Sequence, residues 1–152
     1  MKHCGTGIIE TPRLTLRPFA LSDAADLLEL WIADEAVQSE YGEPVYETPE
    51  AVEALLQRWI TGYQSPAFYR WAMIEGETGR CIGQIAFCRV YEDCRAAEIE
   101  YCVSRSRWGR GYAGEARRRC LTTSLSTPIS PGWRPITERK TPVPDGCWRS
   151  LP

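Results

Sequence analysis

The hydrophobic and polar positions near the start of the chain predict a strand followed by a helix. Residues 13–17 (Arg-Leu-Thr-Leu-Arg) alternate between polar and apolar, which is the period of a half-buried strand, and Pro18 ends that strand or marks an edge. Ser22 is a favourable N-cap residue for a following helix. The apolar side of that helix would be formed by Leu27, Leu28, Trp31 and Ile32.

The clearest helical pattern begins at Thr48. Thr48 provides a cap, Pro49 suits the first helical position, and Glu50 places an acid in the first turn. Apolar residues then recur with helical spacing at Val52, Leu55, Leu56, Trp59, Ile60 and Tyr63. A stripe of this kind usually faces a protein core, so we interpret it as packing surface and not as a functional surface.

From residue 69 onward the pattern becomes that of strands. The segments 69–74, 81–90 and 96–103 are rich in aromatic and β-branched residues, and short turn-like spacers at 75–79 and 91–95 separate them. Short spacers between such segments predict an antiparallel meander. A glycine-rich loop that opens another helix follows. The expected fold class is therefore α+β, with a mixed, mostly antiparallel sheet flanked by helices.

Length and composition narrow the class of protein. A chain of 152 residues with 43% hydrophobic and 25% charged residues is typical of one globular domain and excludes collagen-like and fully disordered chains. No apolar run approaches the ~18 residues that a transmembrane helix needs. Residues 1–10 lack the charged-then-apolar layout of a secretory signal, so we expect a cytoplasmic protein without membrane contacts.

The net charge of −2 is distributed unevenly. Residues 1–104 carry a net charge of −9, whereas residues 105–119 carry +5. A nucleic-acid-binding protein needs a broad positive face, so this distribution argues against nucleic acid as a partner. It favours a local anion site on an acidic body that attracts a cationic partner.

Cysteine and histidine provide no pattern for a metal site. The seven cysteines contain no C-x-x-C pair, and the one histidine, His3, lies next to the start of the chain. We therefore expect no metal and no disulfide framework. The cysteines are interpreted as small apolar residues in a reduced compartment.

The most informative segment is residues 108–116, Trp-Gly-Arg-Gly-Tyr-Ala-Gly-Glu-Ala, which directly follows the last predicted strand. Its glycines let backbone N–H groups turn toward one point, and the helix start adds unpaired N–H groups and a positive dipole end. Arg105, Arg107 and Arg110 add positive charge, so a diphosphate is the expected ligand. The segment is neither a Walker loop nor a dinucleotide fingerprint after a parallel strand. An ordinary turn and a nucleotide-phosphate site are the alternatives.

Several segments are similar to those of the GNAT N-acetyltransferases, in the branch that contains ribosomal-protein alanine N-acetyltransferases. They are residues 10–19, 81–85 and 98–101, followed by the loop 108–116. The superfamily pattern Q/R-x-x-G-x-G/A falls on residues 108–113, with Trp108 in place of Q/R, as is common in this branch. The resemblance covers roughly residues 8–117.

This resemblance implies transfer of an acetyl group from acetyl-CoA to a primary amine, either a protein N-terminus or a small molecule. The diphosphate of the acetyl-CoA cosubstrate would lie on Trp108, Gly109, Arg110, Gly111, Tyr112 and Ala113. The pantetheine arm would pair with the strand end at Cys102, Val103 and Ser104 as an added strand, where an amide would polarise the thioester carbonyl.

The amine must lose a proton before it attacks, which requires a base, direct or through water. Glu98 and Glu100 lie on the same side of one predicted strand and are the candidate catalytic bases. Solvated strand carboxylates are the equally weighted alternative. Tyr101 and Tyr112 are candidate donors to the leaving thiolate but are better explained as packing residues, and Cys102 is not expected to act as a nucleophile.

After Arg117 the sequence departs from the family pattern. We expect an incomplete GNAT-like domain over residues 1–117 and an irregular tail over 118–152, which contains six of the eleven prolines. Possible codons can be chosen for this tail and then read in a shifted frame. This reading gives fragments that are similar to the family's, such as Leu-Glu-Lys-Leu from residues 147–151. One hypothesis is therefore a frame slip near residues 117–119. It implies an exposed sheet edge, self-association and an inactive remnant that binds CoA weakly at most.

Overall fold

The computed structural model describes residues 3–91, 96–123 and 137–138. The strands are β1 (Ile9–Glu10), β2 (Leu14–Arg17), β3 (Tyr69–Glu75), β4 (Cys81–Tyr91), β5 (Ala96–Val103) and β6 (Thr137–Glu138). The helices are α1 (Ala24–Leu30), α2 (Glu35–Tyr41), α3 (Pro49–Gly62) and α4 (Tyr112–Thr123). Short 3-10 turns, Leu21–Asp23 and Arg105–Arg107, precede α1 and the loop before α4. Residues 92–95 of the predicted spacer and most of the predicted tail lie outside the described residues.

The six strands form one sheet in the order β1-β2-β3-β4-β5-β6. Neighbouring strands are antiparallel except for β5 and β6, which are parallel. The predicted meander of β3, β4 and β5 is confirmed, and so is the α+β class. The two-residue strands β1 and β6 were not predicted, because two residues are too few to show a period.

Helices α1, α3 and α4 were predicted, but the start of α1 differs from the prediction and α2 was missed. Helix α3 begins as predicted, with the Thr48 hydroxyl accepting from the Ala51 amide at 3.3 Å. Ser22 is not the cap of α1, because the chain first makes a 3-10 turn whose Asp23 carboxylate binds the Arg17 guanidinium at 2.7 Å. Helix α2 was not predicted, although Asp34 caps its first turn and Gly42, at φ +77°, ends it.

The core has two parts, one on each face of the sheet. Helix α4 packs on one face, where Tyr112, Ala116 and Cys120 join the buried side chains of the strands. Helices α1, α2 and α3 cover the other face. In β5, Ala97 and Ile99 face α4, whereas Cys102 faces the other helices, so successive residues of this strand alternate between the two layers.

The predicted tail is more regular at its start than expected. Helix α4 continues beyond Arg117 to Thr123, and Cys120 is fully buried, because this part of the helix lies on the sheet. The expected boundary at residue 117 therefore falls inside a helix. The expected bare sheet edge is also partly covered, since Thr137 and Glu138 of β6 pair with Glu98 and Ile99.

Three of the described cysteines, Cys81, Cys102 and Cys120, are buried, whereas Cys4 and Cys88 are exposed. Within the described ranges no group of three or more histidine, cysteine, aspartate or glutamate residues is placed to hold a metal ion. Among the same residues no helix has the length and apolar character needed to cross a membrane.

Candidate active site

A cleft of about 430 Å³ lies where β5 ends and α4 begins. One wall is the end of β5, from Tyr101 to Val103, and another is the glycine loop that leads into α4. Val37 and Glu40 of α2 line the opposite side. The cleft therefore brings together the strand end and the loop that the sequence placed next to each other.

The loop exposes a row of backbone donors to this cleft. Gly109 and Gly111 have φ angles of +73° and +81°, which favour glycine. Among the described residues, no acceptor binds the N–H groups from Gly109 to Gly114, and the first bonded amide of α4 is that of Glu115, which donates to Gly111 at 3.0 Å. Unpaired N–H groups at a helix start form an anion-binding arrangement.

The end of β5 has an open outer edge beside the loop. The Ser104 N–H donates inward to the Ile82 carbonyl on β4 at 2.7 Å. Since hydrogen-bonding directions alternate along a strand, the backbone groups of Val103 face outward. The Trp108 indole N–H donates to the Val103 carbonyl at 2.7 Å, which agrees with this direction. Strand β6 reaches only as far as Ile99, so in the described part of the chain no strand covers this edge.

Glu75, at the end of β3, binds residues on both sides of the glycine loop. Its buried carboxylate accepts from Arg107 at 2.9 Å, from the Tyr112 hydroxyl at 2.8 Å and from the Thr78 hydroxyl at 2.7 Å. The Arg107 guanidinium lowers the pKa of Glu75 to about 2, against the effect of burial. Glu75 therefore joins both ends of the loop to the sheet.

A second ion pair fixes the start of α4 to the segment between β1 and β2. The Arg13 guanidinium binds Glu115 at 2.7 Å and donates to the Arg110 carbonyl at 2.8 Å. Glu115 also accepts from the Thr11 hydroxyl at 2.6 Å. Burial raises the pKa of Glu115, but the hydrogen bonds from Thr11 and Arg13 outweigh burial and lower the pKa overall. Sequence reasoning did not identify either Glu75 or this pair.

Two of the three arginines that were expected to attract an anion instead form ion pairs within the chain. Arg105 pairs with Asp34 at 2.9 Å, and Arg107 pairs with Glu75. Both positive charges are therefore balanced by carboxylates of the chain. Arg110 is exposed, and no ion-pair partner for it is found among the described residues.

The predicted bases, Glu98 and Glu100, share one side of β5 and are buried, but neither lines the cleft. Glu98 accepts a hydrogen bond of 2.5 Å from the Tyr91 hydroxyl. Glu100 forms an ion pair with Arg70 and accepts from the Cys88 thiol at 2.9 Å. A direct role for either would require the amine to approach from the side of α1–α3.

The remaining side chains that the sequence suggested are Tyr101, Tyr112 and Cys102. Tyr101 lines the cleft and is half-buried, whereas the Tyr112 hydroxyl is engaged by Glu75, which raises the pKa of Tyr112. Burial raises the pKa of the Cys102 thiol well above its ordinary value. A protonated, buried thiol is a poor nucleophile.

We expect the free energy of unfolding to decrease as the pH falls from about 4.5 to about 2. The pKa of Glu75 is about 2 in the folded chain, below its ordinary value of 4.5. A group whose pKa is lowered by folding stabilises the protein above its unfolded pKa, and this contribution is lost as the pH falls to the folded pKa. Urea unfolding followed by tryptophan fluorescence at pH 7, 4.5 and 3 measures this. A midpoint that stays constant over this range would contradict the assignment of a buried, ionised Glu75.

An open strand end followed by a glycine loop and a helix start is the arrangement expected from the resemblance to acetyltransferases. Residues 13–137 match the family described as the acetyltransferase (GNAT) domain. The chain therefore belongs to the GNAT acetyltransferase family, whose acetyl donor is acetyl-CoA.

Relatives and solved structures agree with this assignment. The Bacillus subtilis protein named uncharacterized N-acetyltransferase YoaA is 30% identical over 119 residues, which are 78% of this chain and 67% of that protein. A GNAT-family acetyltransferase from Bacillus anthracis superposes with a TM-score of 0.62 at 22% identity, over 76% of this chain and 64% of that one. RimL, a ribosomal L7/L12 alpha-N-protein acetyltransferase, superposes with a TM-score of 0.61 at 22% identity, over 77% and 64%. The two structures show a shared fold, and the chain spans about two thirds of the length of these proteins.

Proposed function

We propose that this chain transfers an acetyl group from acetyl-CoA to a primary amine. The observation that carries the proposal is the row of N–H groups from Gly109 to Gly114, which find no acceptor among the described residues and border a cleft beside the end of β5. Family membership supports the same reaction. The chain spans only part of its relatives, so the activity is inferred for the fold and cleft that the chain contains.

The diphosphate of acetyl-CoA binds the amides of residues 109–113 in this proposal, and Trp108 forms the adjoining wall. The pantetheine arm extends along the outer edge of β5 at Cys102, Val103 and Ser104. The outward-facing amide of Val103 then polarises the thioester carbonyl, because an N–H group aimed at a developing oxyanion lowers the barrier for attack.

The reaction requires one proton to move before the acetyl group does. The ammonium form of the acceptor gives its proton to a base, its nitrogen bonds to the carbonyl carbon, and the carbon–sulfur bond breaks to release the CoA thiolate, which then takes up a proton. Glu98 and Glu100 remain the proposed bases, acting directly or through water. Their negative charges also favour a cationic acceptor.

The acceptor class is proposed from the family branch and from charge. RimL is by its name an acetyltransferase of a ribosomal protein N-terminus. A protein N-terminus is accordingly one proposed acceptor, and a small-molecule amine is the other. The net charge of −9 over residues 1–104 favours an ammonium group in either case, within the cytoplasm and without nucleic acid.

A Gly111→Ala variant is expected to bind acetyl-CoA at least about tenfold more weakly, since loss of the loop conformation misplaces its donors. Gly111 lies in the loop at φ +81°, where an alanine is strained by roughly 1–2 kcal/mol. Isothermal titration calorimetry with acetyl-CoA measures the affinity, and urea unfolding measures the stability.

The matched control is Gly5→Ala, because Gly5 also has a positive φ of +68°, does not line the cleft, and has room for an added Cβ, which would lie 3.6 Å from Pro66. We expect a similar loss of stability in this variant and no change in acetyl-CoA affinity. The proposed binding site is wrong if the wild type does not bind acetyl-CoA, or if both variants bind it as tightly as the wild type.

A second candidate is a catalytically inactive chain that at most binds CoA weakly. The consideration that favours it is that codons can be chosen for the sequence after Arg117 which, read in a shifted frame, encode family-like fragments. The encoding DNA tests the frame hypothesis, since codons that cannot give those fragments exclude it. Thiol release from acetyl-CoA with a panel of amines distinguishes the enzyme from the inactive chain, and competition by ATP would indicate a nucleotide-phosphate site instead.

A further inference from the structure

Trp108 is a large aromatic side chain that the fold leaves 46% exposed. Its indole belongs to neither of the two core clusters, and within the described ranges it stacks on no other ring. It lines the cleft beside the end of β5. Packing in the core therefore does not explain the position of this indole.

A single hydrogen bond holds the indole in place. Its Nε1–H, which can only donate, binds the Val103 carbonyl oxygen at 2.7 Å. The main chain of Trp108 is fixed separately, because its backbone N–H donates to the Arg105 carbonyl at 3.1 Å and ends the 3-10 turn there. The side chain can therefore rotate without any change in the backbone of the loop.

The carbonyl that the indole occupies belongs to the outer edge of β5. The Ser104 N–H donates inward to Ile82, so the N–H and the carbonyl of Val103 face outward. A segment that pairs with a strand edge binds both of these outward-facing groups. The indole ring thus takes one of the two groups that an added strand needs, and it fills the space next to that oxygen.

The pantetheine arm of acetyl-CoA is the proposed added strand at this edge, and its amide N–H groups are donors for an outward-facing carbonyl. The arm and the indole therefore compete for the Val103 oxygen. Ligand affinity is reduced by the fraction of molecules in which the binding-competent arrangement is absent. Because release of the indole costs one hydrogen bond and no core packing, we expect this competition to reduce the affinity about two- to tenfold.

We propose that the contact between Trp108 and Val103 is autoinhibitory. The indole closes the outer edge of β5, and binding of acetyl-CoA turns the side chain away, so that the pantetheine arm takes its place on the Val103 carbonyl. This inference rests on the proposed acetyltransferase function, because the pantetheine arm is the group that displaces the indole.

A Trp108→Phe variant tests the contact, because it keeps an aromatic ring but cannot donate to Val103. We expect this variant to bind acetyl-CoA about two- to tenfold more tightly than the wild type in isothermal titration calorimetry. If Trp108 were only a wall of the site, the smaller ring would weaken binding or leave it unchanged. The matched control is Trp59→Phe, which should bind like the wild type because Trp59 lies on α3 and does not line the cleft.

A second measurement follows the indole N–H of Trp108 in the ¹⁵N-labelled full chain, with its resonance assigned through the backbone. While this N–H is bonded to Val103, its exchange with water is slowed. We expect saturating acetyl-CoA to make this exchange at least about twofold faster, since the bond that protects the N–H is lost. This measurement needs no variant, so it decides alone should Trp108→Phe fail to fold.

Tighter binding by Trp108→Phe together with faster exchange in the wild type supports the autoinhibitory contact. Weaker or equal binding by Trp108→Phe, or an exchange rate that bound acetyl-CoA does not increase, overturns it. In either of these cases the wild type still binds acetyl-CoA, so the proposed function stands. If neither the wild type nor Trp108→Phe binds acetyl-CoA, the proposed function is wrong, and the autoinhibitory contact is wrong with it.

Discussion

A Gly83→Ala variant is expected to lose about 3 kcal/mol or more of its free energy of unfolding. Gly83 lies in the centre of the sheet, opposite Met73 of β3 and Val103 of β5. A Cβ atom at this position would be 2.2 Å from the Cys102 carbonyl oxygen and 2.9 Å from the Val103 Cα. Gly83 lies on β4, which is held between β3 and β5, so the clash can be relieved only if the whole end of β5 shifts.

Gly7→Ala is the matched control, since an added Cβ at Gly7 meets nothing within 4 Å. We expect this variant to remain within about 0.5 kcal/mol of the wild type. Urea unfolding of both variants gives the comparison. A loss below about 1 kcal/mol for Gly83→Ala would contradict the close approach of β4 and β5, for which substitutions into packed sites typically cost more.

The sequence predicted the elements whose patterns are long enough to be recognised. Strands β3 and β4 contain seven and eleven residues, and α3 contains fourteen with a clear cap, so their periods are visible. Helix α2 contains only seven residues and shows no apolar stripe. Its signals were the capping Asp34 and the terminating Gly42, which act within one turn and do not show in a periodicity analysis.

The candidate site also has a part that the sequence could predict and a part that it could not. The first part depends on contacts that are local in the chain, and the second on contacts between distant residues. The strand end and the glycine loop are consecutive in the chain, so one segment of sequence was enough to place them together. The contacts that hold the loop are not local: Tyr112 and Glu75 are 37 residues apart, and Arg13 and Glu115 are 102 apart. No spacing rule connects such pairs, because only the folded sheet brings them together.

The same contacts show that part of the positive charge near the loop is balanced by carboxylates of the chain. The sequence indicated a basic loop segment for an anion and an acidic body for a cation. In the folded chain, Glu75 and Glu115 belong to the loop's own support and balance Arg107 and Arg13. In the proposed function, the attraction for an anion therefore depends more on the backbone donors of the loop than on the number of arginines beside it.

A Glu75→Gln variant is expected to lose about 2–3 kcal/mol of its free energy of unfolding, because a neutral amide leaves the Arg107 guanidinium without its buried counterion. The Glu75 carboxylate accepts from Arg107 and Tyr112, which lie on either side of the glycine loop. Once this connection is lost the loop is less well ordered, and acetyl-CoA affinity should fall at least about tenfold. Urea unfolding and calorimetry with acetyl-CoA measure the two effects.

Glu29→Gln is the control for Glu75→Gln, because Glu29 pairs with Arg80 at 2.7 Å but is 65% exposed. An exposed ion pair contributes little, so this variant should keep both stability and affinity. A Tyr112→Phe variant separates the two parts of the Glu75 contact, since it removes one hydrogen bond and leaves the Arg107 ion pair in place. We expect its affinity for acetyl-CoA to lie between those of Glu75→Gln and the wild type. If Glu75→Gln and Glu29→Gln bind acetyl-CoA equally well, the loop does not depend on Glu75, and its conformation is set by the glycines and the Arg13–Glu115 pair alone.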